Sequence, residues 1–165
     1  MTIHIRSARA DDADAISAVI LAALRETNAR DYSLDVIAQV ERSFSPAAVS
    51  ELMAKRTMFV AMQADQLVGT ASLDGRAVRT VFVRPDVQGR GIGKRLMAEI
   101  EQTARDRGVA VLAVPSSVTA ERFYARLGFT AVRDSYHGEE RTIVMERSLT
   151  EPQVRGGAKT RRRSR

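Results

Sequence analysis

The sequence predicts an α/β (α+β) fold, a mixed and mostly antiparallel sheet flanked by helices, on three observations. Apolar residues recur at helical spacing through the first third of the chain. Consecutive strand-like runs joined by short turns follow. Then the apolar run Val78 to Val83 meets a glycine-rich turn, Gln88-Gly89-Arg90-Gly91-Ile92-Gly93-Lys94, passes into a long amphipathic segment and ends in another apolar run, the order of a parallel crossover.

Taken in order, Ile3 to Ser7 is a short strand. Asp11 or Asp12 can cap the helix that follows, with Asp14 in its first turn; Ile16, Val19, Ile20, Ala23 and Leu24 share its buried face, and it runs to about Asn28. Ser33 can cap a second helix, Leu34 to Ser43, whose Val36, Ile37 and Val40 lie together. Ser45-Pro46 opens a third, since Ser suits the cap and Pro the first helical position, with Val49, Leu52 and Met53 on one face. Thr57 to Met62 and Gln66 to Leu73 form a hairpin turning at Ala64-Asp65, and Asp74-Gly75 leads into the Val78 strand. After the glycine turn, Ile92, Leu96, Ile100 and Ala104 recur every four residues, and Gly108 stands where a C-terminal cap belongs. Val109 to Val114 has the continuous apolar character of a buried parallel strand, which Pro115-Ser116-Ser117 is expected to break. Thr119 or Ser117 can cap a short helix holding Phe123 and Tyr124; Gly128 closes it before strand Phe129 to Arg133. Asp134 to Glu140 is expected as a loop carrying Tyr136 and His137, and Arg141 to Leu149 as the last strand. No internal repeat is visible, so residues 1–150 are expected as one domain and 151–165 as a flexible basic tail.

The glycine turn has a chemistry of its own. Small residues let successive backbone N–H groups converge, and a helix N-terminus carries unsatisfied donors and partial positive charge, so a pyrophosphate fits there. Lys94 and Arg95 can add charge at the rim. A nicotinamide-binding fingerprint is excluded by position, because these glycines lie mid-chain rather than after the first strand of a repeated unit. A Walker loop is excluded by spacing, because Gly89 and Gly93 enclose three residues instead of four and Lys94 precedes Arg95 rather than Ser or Thr. By itself such a turn also serves tight helix packing.

Two motifs together carry more. Gln88-Gly89-Arg90-Gly91-Ile92-Gly93 matches Gln/Arg-x-x-Gly-x-Gly/Ala after a strand, and Phe123-Tyr124-Ala125-Arg126-Leu127-Gly128-Phe129 matches Phe-Tyr-x-x-Leu-Gly-Phe one strand later. In this the chain resembles the GNAT superfamily of acyl-CoA-dependent N-acetyltransferases, over about Val78 to Val132. The resemblance implies a GNAT-like sheet of about seven strands splayed between the fourth and fifth, acetyl-CoA as acyl donor, and transfer of the acetyl group to a primary amine by direct attack in a ternary complex.

Composition narrows the alternatives. At 165 residues and 44% hydrophobic content a continuous core is expected without staples. Zero Cys excludes disulfides, thiol catalysis and cysteine-bound metal; His4 and His137 are too few to suggest a metal cluster, so no metal is expected. The N-terminal stretch does not resemble a signal peptide, and no apolar run approaches the roughly 18 residues of a membrane span, so a soluble, cytoplasmic protein with no membrane partner is expected. The formal charge is +6, of which the tail 151–165 carries +5, so the folded part lacks a basic stripe. A solvated extension is favoured over a nucleic-acid tether.

The resemblance also assigns roles. Val81, Phe82 and Val83 would bind the pantetheine arm through backbone groups, with the Val81 N–H as oxyanion donor. The turn, Gln88 through Lys94, would hold the pyrophosphate. Tyr124 matches the general acid, its phenol protonated at neutral pH with a reference pKa near 10. Ser117 stands where many relatives carry an Asn bonded to the cofactor; its hydroxyl can replace that contact or cap a helix. Ala77 stands where histone-acetylating relatives carry a Glu and cannot take a proton, leaving Asp74, Glu121 or ordered water as base. Substrate choice falls to Asn28, Asp31 and Tyr32 and to Tyr136, His137, Glu139 and Glu140, with small amines, amino acids, antibiotics and protein N-termini all open as acceptors, and a homodimer open as assembly. Two alternatives stand beside the enzyme: a non-catalytic acyl-CoA-binding module, and a nucleic-acid or ribosome-associated protein using its tail.

Overall fold

The structure is a computed structural model and describes residues 2–28, 33–138 and 140–150. Strands β1 (Ile3–Ser7), β2 (Thr57–Gln63), β3 (Gln66–Asp74), β4 (Ala77–Val83), β5 (Val111–Ser117), β6 (Thr130–His137) and β7 (Glu140–Ser148) form one sheet in the order β1-β2-β3-β4-β5-β7-β6. All neighbours are antiparallel except β4 and β5. Helices α1 (Ala13–Ala23), α2 (Leu34–Arg42) and α3 (Pro46–Lys55) cover one face, and α4 (Ile92–Asp106) covers the other, with α5 (Glu121–Arg126) at its edge.

Period-two alternation in the strands builds both cores. Phe59, Ala61 and Val68 pack with Ile92, Leu96 and Ile100 of α4, while Met58, Val60 and Leu67 pack with Ile16, Ile20 and Val49 on the opposite face. The caps form as expected: Ser33 Oγ accepts from the Val36 N–H at 3.2 Å, and Ser45 Oγ from the Ala48 N–H at 3.2 Å. Gly108, at φ 77°, closes α4 in a Schellman arrangement, with Val109 N–H on the Ala104 carbonyl and Gly108 N–H on the Arg105 carbonyl, both at 3.0 Å. Asp12 precedes α1, but its carboxylate accepts from the Arg6 guanidinium at 2.8 and 3.1 Å and from the Arg9 N–H at 2.7 Å, so it locks β1 to a 3₁₀ turn instead of capping the helix.

The parallel pair is barely a pair. β4 and β5 meet at one position, Ala77 opposite Ala113, where the Ala113 N–H bonds the Arg76 carbonyl at 2.9 Å. Beyond it the strands diverge, and β4 bulges against β3: Ser72 pairs with Arg79 but Thr70 pairs with Phe82. Thr80 takes φ 49° there, and the buried Ser72 hydroxyl holds the bulge through the Arg79 carbonyl at 2.9 Å and the Thr80 hydroxyl at 2.7 Å.

Two strand limits differ from expectation. Pro115 does not break β5, which continues to Ser117. Leu149 N–H bonds the Ala110 carbonyl, so by alternation Pro115, opposite Val144, lies at a non-bonded position of the β5/β7 ladder. Its ring nitrogen therefore faces the opened gap, where no strand needs a donor. The segment from Asp134 is no loop either: Asp134, Ser135 and Tyr136 pair with Ile143, Thr142 and Arg141 in a β6/β7 hairpin. The Glu139 turn lies outside the described residues.

Candidate active site

The divergence of β4 from β5 opens a cleft of about 1310 Å³ that runs through the sheet from the α4 side to the α1/α2 side. Arg84 N–H bonds the Val68 carbonyl at 2.8 Å, so Phe82, two residues earlier and opposite Thr70, also bonds to β3. The intervening Val81 and Val83 turn their backbone groups to the open edge. Val83 offers its carbonyl to the Gln88 side-chain amide at 3.0 Å, which folds the glycine turn back on the strand. Of the three β4 residues expected to bind through the backbone, the structure thus leaves two on the open edge. Phe82 instead directs its ring to the other face, edge-on to Phe44 with centroids 6.0 Å apart.

The glycine turn ends at the N-terminus of α4. Gly89 and Gly91 have φ 83° and 81°, a region that L side chains rarely adopt, and Gly91 is the N-cap of the helix. A Cβ on either would meet nothing within 4 Å, so the space around both is open for a ligand. Gln88, Gly89, Gly91, Ile92, Gly93 and Lys94 line the cleft. Arg90 does not; it lines a second, separate hollow with Arg84 and Asp86. Arg95, expected at the rim, reaches the Ile3 carbonyl of β1 instead.

Tyr124 lines the same cleft from α5. The residue is 5% exposed, with its ring edge-on to Phe123 at 5.0 Å and to Phe129 at 5.8 Å between centroids. Burial pushes the phenol's pKa above its ordinary value, so it stays protonated. Gly128, at φ 99°, terminates α5 with Phe129 N–H on the Tyr124 carbonyl at 3.1 Å, which fixes the backbone carrying the phenol. Ser117 also lines the cleft, and its hydroxyl accepts from the Ala120 N–H at 3.1 Å, so it caps the turn into α5.

The expected substrate residues scatter. Asp31, Tyr32 and Glu139 lie outside the described residues, as do the side chains of Asn28, His137 and Glu140. Tyr136 is 62% exposed on β6 and is not part of the cleft wall. Neither Asp74 nor Glu121 lines the cleft; among its described lining residues there is no Asp, Glu or His. Sequence reading missed what lines the cleft on the α1/α2 side, namely Arg56, Arg79 and Arg133 beside Val36, Val40 and Phe44. The signal was strand alternation: with Val78 in the α4-side core, its neighbour Arg79 must face the other way.

Comparison with known proteins bears on what this cleft serves. A family model described as an acetyltransferase (GNAT) domain matches residues 28–146, which is most of the chain and includes both β4 and α5. The chain belongs to the GNAT acetyltransferase family. The activity and acetyl-CoA donor that the motifs implied are those of this family, and the seven-stranded sheet opening between β4 and β5 is its fold. The chain is similar to the peptidyl-lysine N-acetyltransferase YjaB of Salmonella typhimurium, 27% identical over 130 residues that make up 78% of this chain and 84% of that one. It superposes on a GCN5-related N-acetyltransferase from Rhodopseudomonas palustris with TM-score 0.83, 27% identity, and 90% and 96% of the two chains covered. PaiA N-acetyltransferase from Thermoplasma acidophilum, solved in complex with coenzyme A, shares the fold at TM-score 0.77 and 20% identity, with coverage of 90% and 99%. As a GNAT protein the chain shows no group of three or more His, Asp or Glu able to hold a metal among the described residues, and no described helix is long and apolar enough to cross a membrane.

Proposed function

We propose that this GNAT protein transfers the acetyl group of acetyl-CoA directly to a primary amine, with the Val81 N–H and the Tyr124 hydroxyl acting on the reacting thioester. The observation that supports this is the open β4 edge: Val81, whose backbone turns to it, and Tyr124, which burial keeps protonated, line one cleft. Acetyl-CoA supplies an activated acyl group. The Gly89 to Lys94 turn and the α4 N-terminus suit its pyrophosphate, with Lys94 adding a cation. Val81 and Val83 present strand-like hydrogen-bonding groups to the pantetheine arm, and the Val81 N–H meets the carbonyl oxygen as negative charge develops on it. The amine nitrogen bonds to the thioester carbon; as the adduct collapses and the C–S bond breaks, Tyr124 gives its proton to the departing thiolate, and the surplus proton on nitrogen passes to the phenolate directly or through water.

The amine must be neutral to attack. No carboxylate or imidazole lines the cleft among the described residues, so we assign that proton to water. The surrounding guanidiniums favour its loss, because like charge lowers an ammonium's pKa. A peptidyl-lysine, the substrate class named for the Salmonella relative, and small amines both belong in the first screen. Calorimetry provides the test: wild type binds acetyl-CoA, Gly91→Glu binds it at least tenfold more weakly, and absence of wild-type binding rejects this function. A positive amine screen then separates an enzyme from a cofactor-binding module.

A further inference from the structure

Building on the acetyltransferase reading, we propose that the acceptor amine carries an anionic group, carboxylate or phosphoryl in chemistry, which Arg56 and Arg79 hold in the acceptor half of the cleft while Val36, Val40 and Phe44 receive its apolar part. Charge is the first argument. Among the described residues six cations line the cleft, Arg56, Arg76, Arg79, Lys94, Arg126 and Arg133, and no acid does. Lys94 and Arg126 belong to α4 and α5, on the cofactor side. Arg76 is engaged, with the Val111 carbonyl at 3.3 Å and Glu146 at 3.7 Å.

Arg56, Arg79 and Arg133 face the other way. Leu73 and Val78 pack in the α4-side core, so Asp74 and Arg79 point to the α1/α2 side; Ile143 and Met145 do the same for β7, which puts Val144 and its partner Arg133 on that side too. Arg56 and Arg79 share the carboxylate of Asp74, whose Oδ2 stands 3.9 Å from Arg56 Nε and 3.8 Å from Arg79 Nε, beyond hydrogen-bond length. One acid between two guanidiniums leaves net positive charge. Arg133 has no hydrogen-bond or ion-pair partner among the described residues.

Arg56 shows the deficit most sharply. Its side chain is 16% exposed, and Nη1 is buried without a hydrogen-bond partner among the described residues. A buried donor left unmade is costly, and a carboxylate or phosphoryl oxygen satisfies a guanidinium fork with two parallel bonds. Burial and the neighbouring Arg79 both lower the pKa of Arg56, as expected of a cation lacking an adequate counter-charge. Position fits as well: Arg79 precedes Val81 by two residues, at most about 7 Å along the backbone, so one small molecule can reach both.

The test uses matched acceptors: an α-amino acid with an apolar side chain, its carboxamide, and its aminophosphonate analogue, each assayed with acetyl-CoA on wild type, Arg56→Met and Arg79→Met. Wild type is expected to prefer an anionic form over the amide at least tenfold in kcat/KM, the favoured anion identifying the group recognised. Either substitution should bring that ratio towards one. Arg79 is half exposed, so Arg79→Met decides the matter if Arg56→Met does not fold. Calorimetry of the N-acetylated acid, phosphonate and amide applies the same comparison to binding and needs no turnover. Equal rates or equal binding for the charged and amide forms, or a preference that survives both substitutions, overturns the inference. Failure of acetyl-CoA to bind counts separately, against the parent function.

Discussion

Phe123 packs closely on Gly93: a Cβ at position 93 would stand 3.1 Å from Phe123 Cζ and 3.2 Å from Cε1, so the ring would have to yield by a few tenths of an ångström to admit it. The contact joins the first turn of α4 to the helix that carries Tyr124. Gly93→Ala is therefore expected to lose stability through overpacking, by up to about 1–3 kcal/mol less the roughly 1 kcal/mol that Ala gains over Gly within a helix. Phe123→Leu in the same chain should recover part of that loss, read as a coupling energy in a urea double-mutant cycle. Additive losses would show that the two positions do not interact.

Gly91 differs, because its demand is conformational. Its φ of 81° with open surroundings predicts that Gly91→Ala loses about 1–2 kcal/mol from backbone strain alone, with no clash. Acetyl-CoA affinity should fall with it, and fall further in Gly91→Glu, where a carboxylate faces the phosphates. A thermal melt and a titration separate the two effects.

Tyr124→Phe keeps the rings packed on Phe123 and Phe129 and removes only the proton donor. Turnover should drop about 10²-fold if no water substitutes, with acetyl-CoA affinity little changed. Because burial raises the phenol's pKa, it should remain protonated through about pH 10, and the wild-type rate should show no falling limb from this group below that pH. An unchanged rate in the variant, with chemistry limiting, assigns Tyr124 to packing.

Asp12 supplies a pH test of the fold. The Arg6 hydrogen bond, with help from the Arg9 N–H, lowers its pKa below the ordinary carboxylate value despite burial. A depressed folded-state pKa gives stability that is present above the unfolded value, near 3.9, and is lost as pH falls through the folded one. Wild type should thus lose stability below about pH 4 more steeply than Asp12→Asn, while the variant should be less stable at pH 7 by about 1.5–3 kcal/mol, the worth of a charged hydrogen bond. Parallel acid titrations of the two by circular dichroism check this.

Much of this architecture was legible because it rests on local chemistry. Ser33, Ser45 and Gly108 announce helix ends through what their own atoms can do, and the glycine turn and the Phe123-Tyr124 block lie in contiguous stretches. What escaped depends on partners. Pro115 reads as a break because a strand normally needs its N–H, and only the separation of β4 removes that need. The bulge at Thr80 is invisible because threonine rarely takes positive φ, and Ser72, eight residues earlier, is what supports it. Arg56, Arg79 and Arg133 come from three segments and converge only after strand register assigns each a face.

The single pairing at Ala77 and Ala113 also makes the sheet thermodynamically incomplete. Beyond that position β4 and β5 lack each other as ladder partners, so those strands should open more readily than β2 or β3. A ligand arm laid along Val81 and Val83 would act as a missing strand, and binding would then be the last step of folding. Saturation at 100 times the dissociation constant would add about 2.7 kcal/mol to global stability. Amide hydrogen exchange would locate that gain along β4, with the Val81 amide passing from fast exchange to slow.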